Sequence, residues 1–316
     1  IGAGRCILLT VLSLVFHSFL AVGHRRNPDD LEGVNKMKLG FIARYDMDWI
    51  DFASQSGFDC LEFHSGPAMG MDAGALSADE VAAFKPTLAS KDLYATSVVL
   101  AINPLSADAE QAREARDYLS SLIDFCAKIG IPYITGTTGQ NIDMDLDDNI
   151  HLFGQVYGEL AEKAESAGVR FAFENCPHGY PRGQNLAVTP ELWGRLFEEV
   201  PSPTLALEYD PSHLVWQDAD YIRGVFEFAD RIRLVHAKDT EIMSEVKGRV
   251  GIYGRGWWRY RLPGYGEVDW PRFFQALREI GYDDEVLIEH EDPVFAGELM
   301  KKGLLLGKHF LDQYVF

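Results

Sequence analysis

Four short apolar segments of this chain each end at or near a residue type that binds divalent cations: Glu174, Asp210, His236 and Glu289. A buried carboxylate is costly unless something neutralises it. Three converging carboxylates without a cation would also repel one another. Three carboxylates and one imidazole suit Mn²⁺, Mg²⁺ or Co²⁺, with Zn²⁺ as a further alternative. The residue types therefore predict a site for one divalent cation, with Mn²⁺ favoured, provided that the four segments end at the same place.

The elements that would bring these residues together alternate from Met37 onwards. Short β-branched or aromatic runs are followed by longer stretches with helical periodicity. Eight such pairs predict an α/β protein, a single (β/α)8 TIM barrel over residues 37–316. A doubly wound sheet is the alternative, but no G-x-G-x-x-G motif follows the first strand. The predicted strands are 38–43, 59–64, 94–101, 132–135, 170–175, 204–210, 232–238 and 285–290. The predicted helices are 46–56, 78–90, 108–129, 149–167, 189–199, 218–229, 269–280 and 296–312.

The barrel would gather the four residues because chemistry in this fold lies at the carboxyl-terminal ends of the strands. The four candidates stand at that end of the last four predicted strands. Alternate residues of a strand share a face, which also brings Lys238, Glu62 and His64 to this mouth. We predict that Glu62 and His64 contact substrate hydroxyls or supply a second base. We predict that Lys238 binds an oxyanion or pairs with Glu208 or another buried carboxylate, with the pair favoured.

A long insert with no clear periodicity, residues 240–268, follows the seventh predicted strand. Loops of this length in a compact domain are usually functional or disordered. The Trp, Tyr and Arg residues of "TEIMSEVKGRVGIYGRGWWRYRLPGYGEV" argue against disorder. We therefore predict that the insert lies over the carboxyl-terminal mouth of the barrel.

The net charge of −19 excludes several classes of partner. Such a chain repels phosphate backbones and anionic lipid, so we predict no nucleic-acid partner and no membrane contact beyond an N-terminal signal. The four cysteines show no CxxC spacing, which favours reduced thiols and a cytoplasmic location over a disulfide framework.

Residues 1–36 differ from the rest of the chain. The apolar run "CILLTVLSLVFHSFLAVG" follows Arg5 and ends in small residues, which is typical of a signal peptide. The alternative is an upstream non-domain segment, with Met37 as the true start. A signal peptide would make the protein exported rather than cytoplasmic.

Five motifs give the chain a family resemblance: "FAFENCP" (171–177), "LEYDPSHL" (207–214), "LVHAKD" (234–239), "LPGYGEVDW" (262–270) and "LIEHEDP" (287–293). Together they resemble the xylose isomerase-like superfamily of sugar phosphate isomerases and epimerases. That superfamily includes ketose 3-epimerases, hydroxypyruvate isomerases, inosose dehydratases and the catalytic subunits of C-glycoside deglycosidases. The resemblance covers residues 37–316 and implies a small sugar or glycoside as substrate. It also leaves open a homo-oligomer, or a partner subunit that completes the site as in the deglycosidases.

The resemblance to the ketose 3-epimerases assigns roles to single residues. It implies that Glu174, Asp210, His236 and Glu289 are the metal ligands. It also implies that the two glutamates act as acid and base on opposite faces of the sugar, and that His213 contacts substrate hydroxyls. A metal-polarised carbonyl next to a C–H bond makes an enediolate accessible to such bases. We therefore predict a metal-dependent sugar isomerase or epimerase.

The chain departs from the epimerases six residues after the metal-binding histidine, where they have Arg and this chain has Ile242. We predict that Arg259 and Arg261 replace that grip on the substrate, with Trp257 as a platform for a sugar face or an aglycone. The alternative for the tryptophan is that it packs the insert onto the barrel. A bulkier substrate favours the second functional hypothesis, a lyase that eliminates water or an aglycone from a keto-sugar or 3-keto-glycoside.

Two other classes of function receive less support. A DNA-repair phosphoesterase of this barrel type needs several zinc ions and a basic groove, whereas this chain has nine His and a negative charge. A sugar-binding protein without activity would not need four metal ligands at one mouth.

Overall fold

The computed structural model of this protein describes residues 36–66, 71–72, 76–177 and 184–316. The segment predicted as a signal peptide or upstream region lies outside these residues, apart from residue 36. The boundary at Met37 therefore stays a prediction. No helix in the described part of the chain is both long and apolar enough to cross a membrane.

Eight parallel strands close into a barrel, which confirms the predicted fold. Their bounds are β1 (Lys38–Ala43), β2 (Cys60–His64), β3 (Tyr94–Leu100), β4 (Tyr133–Gly136), β5 (Arg170–Glu174), β6 (Leu205–Tyr209), β7 (Ile232–Ala237) and β10 (Glu285–Ile288). Neighbouring strands follow the chain order, and β10 closes the barrel between β7 and β1. Two further strands, β8 (Asp239–Ile242) and β9 (Trp258–Arg261), form a separate antiparallel hairpin.

The helices run between the strands and begin and end where the sequence signals them. The bounds are α1 (Met47–Gln55), α2 (Ala78–Ala89), α3 (Ala109–Ile129), α4 (Leu146–Ala167), α5 (Pro190–Glu199), α6 (Pro211–Trp216), α7 (Tyr221–Glu227), α8 (Ser244–Val250), α9 (Trp270–Glu279) and α10 (Met300–Leu311). Ser77 and Glu80 form a capping box at the start of α2, and Gly130 and Gly168 end α3 and α4 in the left-handed conformation. Short 3-10 turns at Pro293–Phe295 and Gly297–Leu299 precede α10.

The interior of the barrel has an apolar floor beneath a charged layer. The floor is a small buried cluster of Cys60, Ala172, Ala206, Leu234 and Leu287. Two residues further along four of the same strands stand polar side chains that point to the same side, because alternate residues of a strand share a face. These are Glu62, Glu174, Glu208 and His236, and Glu289 follows Leu287 at the same spacing.

The segment after β7 is more regular than the sequence predicts, since it contains β8, α8 and β9. Asp239 anchors the return of this segment to the barrel. Its carboxylate accepts hydrogen bonds from the Gly264 amide (3.0 Å), the Val268 amide (2.9 Å) and the Trp270 indole (2.8 Å). A side chain at position 266 would come within 2.5 Å of the Thr240 carbonyl oxygen, so only glycine fits there. The "LVHAKD" and "LPGYGEVDW" motifs therefore meet at Asp239, and we call these hydrogen bonds of Asp239 the clamp.

Candidate metal centre

The structure brings the four predicted ligands together. Glu174 ends β5, Asp210 is the N-cap of α6, His236 lies in β7, and Glu289 directly follows β10. One ligand atom from each lies within 4.8 Å of the others. Asp210 and His236 are fully buried, while the Glu289 side chain is 19% exposed and reaches the mouth. The strand-end argument from the sequence therefore predicts the position of all four.

Unused hydrogen-bonding atoms show that these residues fit a metal ion. Nδ1 of His236 and Oδ2 of Asp210 are buried, and neither has a hydrogen-bond partner among the described residues. Nδ1 lies 3.4 Å from Oε1 of Glu174 and 3.3 Å from Oε2 of Glu289. Buried polar atoms are almost always hydrogen-bonded, so buried ligand-type atoms that converge on one point without a hydrogen bond need an explanation. A divalent cation with oxygen and nitrogen ligands supplies one.

The charge state of the carboxylates suits a cation. Burial opposes ionisation of Glu174, but the neighbouring imidazoles of His213 and His236 and the charge of Lys238 outweigh it and hold its pKa well below the usual range. Burial and Glu174 likewise oppose ionisation of Glu289, yet Lys238 and His236 lower its pKa. Both glutamates are therefore ionised and can act as ligands.

Two glutamates, Glu62 and Glu208, contact Nε2 of His236, the ring nitrogen opposite the one that faces Glu174 and Glu289. Oε2 of Glu62 lies 3.0 Å from Nε2 of His236, and Glu62 also accepts a hydrogen bond from the Thr135 hydroxyl. An imidazole that donates its proton from Nε2 at this contact would leave the Nδ1 lone pair for a metal. Burial and the nearby charge of Glu62 raise the pKa of Glu208 well above its usual range. Glu62, which we predicted to contact substrate hydroxyls or supply a second base, thus contacts a metal-ligand candidate, His236, at its Nε2 atom.

Lys238 lies among the carboxylates of the site. Its buried ammonium contacts Glu289, lies 3.0 Å from Glu291 and 3.2 Å from Asp210, and lies 3.8 Å from Glu174. The predicted pairing with buried carboxylates is therefore present in the structure. Glu208, the partner that the sequence singled out, instead faces His236, because residues 208 and 236 lie one layer deeper in the barrel.

His213 and Tyr260 form a second polar pair at the mouth. Nε2 of His213 lies 3.1 Å from Glu174 and 3.3 Å from Asp210, and its Nδ1 hydrogen-bonds with the Tyr260 hydroxyl at 2.8 Å. Burial and Lys238 disfavour the imidazolium, but Asp210 and Cys176 outweigh them and raise the pKa of His213 to about 10. Sequence reasoning missed Tyr260, although alternation along "WRYR" separates it from the two arginines.

The structure does not bring Arg259 and Arg261 to the four ligands. Both contact Glu241, and Nε of Arg261 also lies 2.8 Å from Asp292. Alternate residues of β9 point to opposite faces of the hairpin, and Tyr260 occupies the face toward the mouth. The predicted contact of these arginines with substrate therefore has no geometric support, since their guanidinium groups pair with Glu241 and Asp292.

The tryptophans of the insert pack against protein. Trp257 is 2% exposed, and its indole donates to the Gly254 carbonyl oxygen. Trp258 stacks on Trp216 with ring centres 4.7 Å apart and an interplanar angle of 5°. Trp257 and Trp216 also line a cavity of about 710 Å³. Because Trp257 is buried, the geometry favours packing of the insert onto the barrel over a platform for substrate at the metal centre.

His64 stands at the end of β2 and is half-buried. Burial lowers its pKa despite the nearby charges of Glu62 and Glu289. Within the described ranges, no hydrogen bond or ion pair joins His64 to the four ligands. It is available to a substrate at the mouth, as the sequence predicted for it, and that role stays a prediction.

Comparison with known proteins decides the family. Residues 50–309 match the family model described as "Xylose isomerase-like TIM barrel". The chain belongs to this family. Its resemblance to the superfamily, inferred from five short motifs, is therefore confirmed over most of the chain.

Relatives in the xylose isomerase-like family carry two kinds of description. The uncharacterized protein YfiH of Bacillus subtilis is 26% identical over 299 residues, which cover 82% of this chain and 92% of the relative. A protein of Clostridium perfringens named inosose dehydratase is 25% identical over 281 residues, covering 84% and 94%. Similarity thus runs along nearly the whole length of both relatives.

Solved structures of other proteins share the fold. The IOLI protein, whose crystal structure holds a zinc atom, superimposes with a TM-score of 0.72 at 18% identity and covers 88% of this chain and 99% of its own. An L-ribulose 3-epimerase superimposes with a TM-score of 0.66 at 20% identity, covering 88% and 94%. The same barrel therefore occurs with a bound metal in one neighbour and with epimerase activity in another.

Proposed function

We propose that this protein is a divalent-metal-dependent isomerase or epimerase of keto-sugars. The observation that carries the proposal is the convergence of Glu174, Asp210, His236 and Glu289, with ligand atoms within 4.8 Å of one another. Two of these ligands are glutamates, and each has a second carboxylate oxygen that can act as a base. A site with a cation and two such bases is suited to moving a proton next to a carbonyl.

A divalent cation bound by these four residues would polarise the substrate carbonyl and its neighbouring hydroxyl. Glu289 is the more exposed of the two glutamates, so it is placed to remove the C–H proton. Glu174, which His213 holds from the side, is placed to return a proton. Return to the same carbon on the opposite face gives an epimer, and return to the neighbouring carbon gives an isomer.

A lyase is the second candidate, and the Tyr260–His213 pair favours it. Elimination breaks a C–O bond after the C–H proton has been removed, so the departing oxygen needs a proton of its own. The Tyr260 hydroxyl, 2.8 Å from His213, is a donor on the mouth side of the hairpin. The relatives named inosose dehydratase also support this candidate.

Product analysis in D₂O separates the two candidates. Purified protein would be loaded with Mn²⁺ and offered a panel of ketoses, inososes and 3-keto-glycosides, with products followed by mass. Uptake of one deuterium with the carbon skeleton intact and no loss of water is the expected result. Loss of water or of an aglycone would replace the isomerase with the lyase. If no compound on the panel exchanges a proton, the proposal of proton transfer fails.

We expect Asp210→Asn to weaken Mn²⁺ binding by about 100-fold or more, because loss of a charged ligand should exceed the roughly 10–100-fold loss typical of removing a residue that only orients a ligand. An asparagine oxygen can still cap α6 by accepting from the Ser212 amide, so the fold should survive. Isothermal titration with Mn²⁺ measures the change. The matched control is Asp220→Asn, the same substitution at the N-cap of α7. Equal affinities for both variants would remove Asp210 from the ligand set.

Tyr260→Phe reports on the reaction type. If Tyr260 donates a proton to a departing oxygen, kcat of elimination should fall by about 100-fold, as is typical for loss of a general acid. In an isomerase the same variant loses only its hydrogen bond to His213, and kcat should fall less than tenfold. Steady-state rates of the variant and of Tyr94→Phe, a tyrosine at the opposite end of the barrel, make the comparison.

A further inference from the structure

We propose that Lys238 is a positioning residue of the metal centre. Its ammonium and the divalent cation share the carboxylates of Asp210 and Glu289, and Glu291 receives the ammonium when the cation binds. Lys238 would thereby set how tightly the site holds its metal. This inference rests on the metal centre of the proposed function and deepens it.

The contacts of Lys238 overlap with those expected of the cation. The ammonium lies 3.2 Å from Oδ2 of Asp210, an atom that has no hydrogen-bond partner among the described residues. It also contacts Oε2 of Glu289, the oxygen that lies 3.3 Å from Nδ1 of His236. A divalent cation would use these same two carboxylates. Two cations at one pair of oxygens repel each other strongly in a buried site.

Glu291 gives the ammonium a second position. Its Oε2 lies 3.0 Å from Nζ of Lys238, and its side chain is 48% exposed, outside the four-ligand set. The Tyr260 ring, 4.4 Å from the ammonium, adds a cation–π contact on the same side. Lysine suits such a shift because its charge is compact and its four-carbon stem is flexible. A small rotation could therefore release Asp210 without leaving the charge of Lys238 unpaired.

Charge balance distinguishes this arrangement from an ordinary buried ion pair. One lysine needs one carboxylate, yet four carboxylates surround Lys238: Glu174, Asp210, Glu289 and Glu291. His213, whose Nε2 lies 3.1 Å from Glu174 and 3.3 Å from Asp210, adds a second positive charge when it is protonated. Four negative charges still exceed what Lys238 and His213 neutralise together. A divalent cation would balance the remaining two charges, so the cluster has a place for a second cation beside Lys238.

The test is a double-variant cycle that uses Mn²⁺ alone as the probe. Mn²⁺ affinity would be measured by titration, with electron paramagnetic resonance of free Mn²⁺, for the metal-stripped protein and for Lys238→Met, Glu291→Gln and the double variant. We expect Lys238→Met to tighten Mn²⁺ binding about tenfold, because a competing cation is removed. Glu291→Gln should weaken it about tenfold in the natural background but less than threefold in the Lys238→Met background. Such coupling is the signature of two residues that act together.

Several outcomes would overturn the inference. Weaker Mn²⁺ binding by Lys238→Met would mean that the lysine supports the metal rather than competing with it. Equal effects of Glu291→Gln in both backgrounds would mean that Glu291 acts on the metal directly and does not receive the ammonium. If the natural protein binds no Mn²⁺, the metal centre itself fails and this inference fails with it. If the natural protein binds Mn²⁺ and the cycle is additive, only the inference about Lys238 fails.

Controls separate this role from simple structural support. Lys163→Met, on α4, removes another lysine that pairs with a carboxylate, Asp124, and should leave Mn²⁺ affinity unchanged. Removal of Lys238 should lower the melting temperature of the metal-stripped protein, and Mn²⁺ should restore more stability to it than to the natural protein. Should Lys238→Met not fold, Glu291→Gln alone still tests the inference, because an unchanged Mn²⁺ affinity in this variant would overturn it.

Discussion

Glu289→Gln is expected to lower kcat by about 10³, within the range found when a general base is removed. The amide cannot accept the C–H proton, but its oxygen can still reach the cation. The loss should therefore appear mainly in kcat, while Mn²⁺ affinity falls by a smaller factor. Steady-state kinetics on the substrate found in D₂O, together with Mn²⁺ titration, measure the two effects separately.

The matched control for this variant lies on the same strand. Glu285→Gln is the same substitution at the start of β10, where the carboxylate accepts a hydrogen bond from Tyr94 at the opposite end of the barrel. Its kcat should equal that of the natural protein. A Glu289→Gln variant with a tenth or more of the natural kcat would show that another group takes the proton, and Glu174→Gln would become the next variant to measure.

The second large effect concerns stability. Asp239→Ala should lower the free energy of unfolding by about 3–5 kcal/mol, because it leaves several buried donors unpaired at about 1–3 kcal/mol each. These donors are the Gly264 and Val268 amides and the Trp270 indole. The variant should also loosen the hairpin, because β8 begins at Asp239 and β9 pairs with β8. Urea unfolding monitored by circular dichroism gives the change in free energy.

Asp312→Ala is the control for Asp239→Ala. Asp312 pairs with Lys308 on the surface of α10, and exposed pairs of this kind contribute about 1 kcal/mol or less. Similar losses for the two variants would contradict the view that Asp239 is the clamp. Asp239→Asn should fall between them, since the amide retains one acceptor oxygen but brings an NH₂ group toward the donors.

The barrel and its four ligands could be predicted because both depend on local pattern. Each strand is a short apolar run, each helix has caps, and ligands at strand ends need only the rule that parallel strands point the same way. The helix α6 was missed because its six residues follow Asp210 directly and show no helical period. The hairpin of β8 and β9 was missed because its pairing joins residues about twenty positions apart.

The roles of single side chains were harder to predict than their positions. Glu62 and Lys238 share the barrel interior, but Glu62 contacts the imidazole of His236 whereas Lys238 contacts the carboxylates of the ligands, and this depends on the depth of each side chain in the barrel. Depth depends on the stagger between neighbouring strands, which the sequence does not show. Arg259 and Tyr260 are adjacent in sequence, and only the register of the hairpin decides which of them faces His213.

The clamp at Asp239 affects how the segment of β8, α8 and β9 beside the mouth can change in length and sequence. The segment that contains β8, α8 and β9 leaves the barrel at Asp239. Where it returns, the amides of Gly264 and Val268 donate hydrogen bonds to the Asp239 carboxylate. Closing a longer loop between fixed ends costs only slightly more, because the entropy grows with the logarithm of its length. The segment between Asp239 and Gly264 can therefore change in length and sequence without displacing the strands of the barrel. Natural variation or a protein engineer could lengthen, shorten or replace it to admit new substrates, while β5, β6, β7 and β10 keep the metal ligands in place.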